Sequence, residues 1–217
     1  AHHALVGIDG LGNGVAVWLQ PQDGREAVWA SRYVAATETW SDAGRVERSD
    51  AGSAISVRLA VDPLGNAMAV WTEPSDGTYD VWANRYEAAL GLWGDAGIIE
   101  TSANSAYTPD IKMDSDGNAI AVWRQYSGTK SAIYANRFSA AAGRWDDAGI
   151  IDTDLTGDSF APRVGIDGNR NAIVAWYRVA SGRSTIWANR YLAGDDQWSD
   201  AGWLGTLDGG NISANPE

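Results

Sequence analysis

The chain has 217 residues, enough for one large all-β domain or two small ones, with 28 acidic against 16 basic side chains and a net charge of -12. That sign is wrong for gripping a phosphate backbone by counterion release, so no nucleic acid is expected as a partner. Absence of cysteine removes disulfides, thiol nucleophiles and cysteine metal sites together, and no apolar run approaches the roughly 18 residues of a spanning helix, so no membrane insertion is expected.

Nothing at Ala1 resembles a charged signal n-region, so the chain reads as soluble or already processed, and its lack of cysteine fits an extracellular or cell-surface bacterial setting. His2 and His3, the only histidines, read as end-of-chain residues rather than members of a triad or zinc site. Beyond them the chain repeats. Trp18, Trp71, Trp123 and Trp176 form one column at spacings of 53, 52 and 53 residues, inside NGVAVW, NAMAVW, NAIAVW and NAIVAW. Further on recur VWASRY, VWANRY, IYANRF and IWANRY, then WSDAG, WGDAG, WDDAG and WSDAG. Aromatics step by 11 in every copy: Trp18, Trp29, Trp40; Trp71, Trp82, Trp93; Trp123, Tyr134, Trp145; Trp176, Trp187, Trp198.

Each segment is short, β-branched or aromatic, and bounded by Gly, Asp, Ser or Asn, which is a strand signature. Four strands are expected per repeat, in the third copy about Pro109 to Met113, Asn118 to Arg124, Ala132 to Phe138 and Trp145 to Ile151. The first two strands join through an Asp-to-Asn turn, with Gly12, Gly65 and Gly117 where a tight hairpin needs positive φ. Arg170 takes that position in the fourth copy, which predicts a strained or re-registered turn. A four-stranded unit that is apolar on both faces needs neighbours on both sides. Radial stacking supplies them, so the fold class is an all-β propeller of four blades, over about 1–53, 54–105, 106–158 and 159–212, each a four-stranded antiparallel sheet. The twelve column aromatics, at roughly 150–250 Å² and roughly 25 cal/mol per Å² each, are read as structural packing.

The run MDSDGNAIAVW, from Met113 to Trp123, resembles bacterial propeller repeats of the NHL and SBBP type, and the tandem NAIAVW and ANRY segments are similar to those of secreted bacterial repeat proteins. These families share blade geometry and no single activity, so the resemblance implies fold and an extracellular setting and transfers no catalytic residue.

Asp114 and Asp116 form a weak calcium candidate, but a calcium loop needs more closely spaced oxygens than the other copies offer, and turn capping is the favoured role. Arg32, Arg85, Arg137 and Arg190 are each expected to pair with Asp42, Asp95, Asp147 and Asp200 as structural clips, the alternative being an arginine ring around the central channel that captures an anion. No cofactor is implied. Residues set by blade packing recur and residues serving a ligand need not, so Tyr79, Tyr107, Tyr126, Phe160, Tyr177 and Trp203, all outside the columns, are the ligand-binding candidates.

The closing Ser213 to Glu217 resembles the start of another repeat, which leaves open a closed ring with a tail, a part of a longer propeller, or a protomer continuing into the next copy. Without a catalytic constellation, the reading is a non-enzymatic extracellular binding or scaffolding propeller, with a glycan or a protein surface as partner. One alternative is a subunit assembling with itself through its chain ends. Another is a hydrolase with carboxylates in the channel.

Overall fold

A computed structural model describes residues 1–47 and 52–206; Ser213 to Glu217 lie outside the described residues. All regular structure is β, in four antiparallel sheets. The first blade holds β1 (His2–Ile8), β2 (Gly14–Gln22), β3 (Arg25–Val34), β4 (Thr39–Trp40) and β5 (Gly44–Arg45). The second holds β6 (Ile55–Val61), β7 (Ala67–Ser75), β8 (Thr78–Glu87), β9 (Leu92–Trp93) and β10 (Gly97–Ile98). The third holds β11 (Ala106–Met113), β12 (Ala119–Ser127), β13 (Lys130–Ser139), β14 (Arg144–Trp145) and β15 (Gly149–Ile150), and the fourth β16 (Asp158–Ile166), β17 (Ala172–Ala180), β18 (Arg183–Leu192), β19 (Gln197–Trp198) and β20 (Gly202–Thr206).

The first three strands of each blade follow the expected meander. The outer strand does not run unbroken: it is two short pieces, both paired with the third strand. Between them the Asp146 amide still donates to Arg137 O at 2.8 Å, as the Ser41, Gly94 and Ser199 amides do to Arg32, Arg85 and Arg190.

The Asp turns are built alike. In the third blade the Asp116 and Asn118 amides donate to Asp114 Oδ1, both at 2.9 Å, and Asn118 Nδ2 donates to Asp114 Oδ2 at 2.9 Å. Both carboxylate oxygens are thus committed to the turn, the Asx capping favoured from the sequence. The fourth turn keeps the same bonds with Arg170 at φ 67°, so it is strained and not re-registered.

β1, β6, β11 and β16 are the innermost strands, β1 beside β6, β6 beside β11 and β11 beside β16. Each carries a bulge, with His3, Ser56, Thr108 and Ala161 at φ between 49° and 56°.

Three apolar cores lie between successive blades. Val15, Val17 and Leu19 meet Ala67, Ala69, Trp71 and Tyr86. Met68, Val70 and Val81 meet Ile111, Ala119, Trp123 and Phe138, and Ile120, Val122 and Ile133 meet Val174, Trp176 and Tyr191. Among the described residues no such core joins the fourth blade to the first. Val6 is 65% exposed where its counterpart Ile111 is 1%, and Ile173 is 58% exposed where Met68 is 1%. Among the described residues the four blades are joined by three apolar interfaces.

Polar clips reinforce the interfaces. Asn84, Asn136 and Asn189 each donate Nδ2 to a carbonyl of the preceding blade, Val46, Ile99 and Ile151, at 2.8 Å. Ser31 replaces that asparagine in the first blade and turns to Ser41 O instead.

The expected arginine pairs are corrected. Asp42, Asp95, Asp147 and Asp200 lie in the break between the outer pieces, while the arginines reach sideways to the next blade. Arg32 approaches Asp9 at 3.6 Å and sits 5.4 Å over the Tyr86 ring. Arg85 pairs with Glu87 at 2.6 Å and covers Phe138, and Arg137 binds Asp146 at 2.9 Å and Asp196 and covers Tyr191. Arg190, with no described blade beyond it, is exposed near its own Asp167. These arginines are clips placed on the third strands, so they do not form a ring on the axis.

The aromatic columns take unequal roles. Trp71, Trp123 and Trp176 are almost wholly buried, whereas Trp18, on the uncovered face of the first blade, is half-buried. Trp29, Trp82, Tyr134 and Trp187 sit in cross-strand register beside them. Trp40, Trp93, Trp145 and Trp198 pack on Tyr33, Tyr86, Phe138 and Tyr191 with ring centroids 5.3–5.6 Å apart.

Candidate functional site

On the face where the inner strands begin and the β2–β3-type hairpins turn, the repeat symmetry breaks. The inner-strand column reads His2, Ile55, Tyr107, Phe160, and its cross-strand partners read Leu19, Thr72, Arg124, Tyr177. Blades three and four therefore carry rings and a guanidinium where blades one and two carry aliphatic, hydroxyl and imidazole groups.

Five of the six ligand-binding candidates come together there. Tyr79, at the second hairpin, lies 5.3 Å from the Tyr107 ring. Arg124 sits 5.9 Å from the Tyr107 centroid, 5.0 Å from that of Tyr126 and 4.6 Å from that of Phe160. Phe160 stacks on Tyr177 at 5.2 Å with 17° between planes. The result is a strip that crosses three blades. Trp203 stands apart on the outer strand β20, opposite Trp187.

Arg124 donates Nη2 to Tyr126 Oη at 2.9 Å, and its Nε is shielded from solvent without a hydrogen-bond partner. Among the described residues no carboxylate is paired with it. Just past the bulges the inner strands meet across blades, with Arg58 4.0 Å from Asp110 and the Val164 amide donating to Asp110 Oδ2 at 3.0 Å.

His2, read from the sequence as an end-of-chain residue, belongs to the first inner strand. It pairs in register with Leu19 and approaches Glu26 at 3.9 Å, on the same rim as Tyr107 and Phe160. Among the described residues no cluster of three or more His, Asp or Glu side chains is placed to hold a metal, and the Asp116 carboxylate lies 3.7 Å from Arg170.

Acidic side chains gather between the blades behind the strip. Glu47 and Glu73 are both buried. Trp71 Nε1 donates to Glu73 Oε2 at 2.9 Å, and Glu73 Oε1 has no partner. Burial pushes Glu47 above its ordinary range, with the Glu73 charge adding to the rise against the Arg45 hydrogen bond. The same position in the next interface holds Gln125, whose Nε2 donates to Glu100 at 2.7 Å, and in the last Arg178, which binds Asp152 and Asp154 and stacks on Trp187. Sequence reasoning missed Arg124 because the arginine column of the ANRY segments drew attention to the wrong strand. The signal was its departure from Leu19 and Thr72 in the same column.

No protein-family model matches the chain, and no curated protein does. Solved structures do. A leech intramolecular trans-sialidase complexed with 2,7-anhydro-Neu5Ac shares the fold at TM-score 0.61 and 8% identity, over 95% of this chain and 50% of that one. An ulvan lyase, of a polysaccharide lyase family and bound to a GlcA(1-4)Rha3S saccharide, matches at TM-score 0.66 and 10% identity, over 94% of this chain and 55% of that one. A protein of unknown function from Dyadobacter fermentans matches at TM-score 0.64 and 10% identity, over 93% and 68%. The chain spans about half the length of the lyase and trans-sialidase chains. At such identities the likeness is one of fold, the β-propeller. It overturns the expectation of a non-enzymatic scaffold, since the same architecture in those two proteins carries glycan-processing enzymes.

Proposed function

We propose that this chain is the propeller portion of a secreted glycan-processing enzyme that engages its polysaccharide along the Tyr79–Tyr107–Arg124–Phe160–Tyr177 strip. The observation that carries this reading is a strip of five non-repeated aromatics, three of them packed on Arg124 and the other two, Tyr79 and Tyr177, extending it through Tyr107 and Phe160. Aromatic faces supply apolar area at little conformational cost, and an extended strip fits successive units of a chain rather than one small molecule. The tyrosine hydroxyls of that surface supply proton-transfer groups. The fold neighbours acting on ulvan and sialosides lend the reading its enzyme class.

The test is a panel of purified polysaccharides incubated with the protein, followed by size-exclusion chromatography and reducing-end assay. Shortening of at least one polymer, weakened at least tenfold by Tyr107→Ala, is expected. A panel left intact, with no binding by calorimetry, would overturn it.

A further inference from the structure

We infer that the strip selects an anionic sugar unit, held by Arg124 through a carboxylate or a sulfate ester on the glycan. This rests on the glycan-processing reading and specifies its substrate class. The reason lies in how the arginine is kept. Several other cations on the rim and inner strands are answered by an acid: Lys130 by Asp158 at 3.5 Å, Arg178 by Asp152 and Asp154, Arg58 by Asp110. Arg124 has only the Tyr126 hydroxyl and three ring faces. With its Nε closed off from solvent among the rings, Arg124 offers its Nη edge to an incoming group, and that planar fork suits two oxygens of one anionic group.

The surroundings suit an anion too. Asp158 is engaged by the Ser131 amide and Lys130, and Asp110 by Arg58 and the Val164 amide, so the nearby carboxylates are already answered. The net charge of -12 is spread over the chain, and charges beyond about 8 Å are largely screened at physiological ionic strength, so local geometry governs capture. Tyr107, Tyr126 and Phe160 would receive the apolar ring faces of the same or adjacent sugars.

The probes are oligogalacturonate and its carboxyl-reduced neutral form, and dextran sulfate with plain dextran, titrated by calorimetry into the wild-type chain, Arg124→Gln, Arg124→Lys and Tyr107→Ala. In at least one pair the anionic member should bind tenfold or more tighter, with the excess lost in Arg124→Gln, partly retained in Arg124→Lys, and reduced by added salt. Tyr107→Ala should weaken both members of that pair alike. The two pairs distinguish carboxylate from sulfate. Equal binding of anionic and neutral members, or an unchanged preference in a folded Arg124→Gln, overturns the inference while glycan binding stands. No binding to any probe, together with an uncleaved panel, overturns both.

Discussion

Arg170 holds φ at 67° where the other three Asp turns place glycine, and its side chain gains only an exposed contact with Asp116 at 3.7 Å. A left-handed L residue costs roughly 1–2 kcal/mol, so Arg170→Gly is expected to stabilise the chain by about 1 kcal/mol in urea unfolding. Trp123→Ala, at a fully buried position, should cost about 3–5 kcal/mol, whereas Trp40→Ala, at 54% exposure, should cost less than about 1 kcal/mol. Glu73→Gln would give its interface the chemistry that Gln125 already supplies, with a donor for Glu47 and the Trp71 bond retained. Glu47 is raised above its ordinary 4.5 by burial and by Glu73, so its charged form lowers stability above its folded pKa and the penalty fades as pH falls toward 4.5. The gain from Glu73→Gln, about 1 kcal/mol at pH 7, should therefore shrink toward pH 4.5, and an equal gain at both pH values would contradict the arrangement. At this scale the tryptophan columns were legible because packing repeats. The partners of Arg32, Arg85 and Arg137 were not, because Asp9, Glu87 and Asp146 recur at no common spacing from their arginines and the rings these cover, Tyr86, Phe138 and Tyr191, belong to the next blade.

Within a blade, turn chemistry and alternation disclosed the first three strands and the Asp-to-Asn hairpins. The break in the outer strand and the bulge in the inner one were hidden. Thr108 and Ala161 bear positive φ without glycine, and only the following Pro109 and Pro162 hint at an interrupted ladder. Those bulges lie directly beside Tyr107 and Phe160, between them and the Asp110 contacts that tie β6, β11 and β16 together. The clips between blades were likewise invisible in isolated repeats. Asn136 donates to Ile99 O and Asp146 O, both at 2.8 Å, so Asn136→Ser, the exchange already present at Ser31, should cost about 1–3 kcal/mol by urea denaturation. The same exchange at a surface asparagine such as Asn169 should be silent.

Across the molecule, sequence symmetry described the blades well and the functional surface only by its failures. Tyr79, Tyr107, Tyr126, Phe160 and Tyr177 stood out as non-repeating, yet their assembly around Arg124 depends on three hairpins and two inner strands brought together by stacking. Among the described residues the blades are coupled through nearest neighbours: the middle two each have two apolar interfaces and the outer two each have one. Such an array behaves as a line of linked switches rather than a single unit, and opening starts where a link is missing. Amide exchange should be slowest in β7 and β12 and faster in β1 and β18, and uniform protection would contradict this picture. The Arg124 strip lies in the second, third and fourth blades, so loosening of the first blade would leave it assembled, whereas loosening of the last would remove Phe160 and Tyr177 from it.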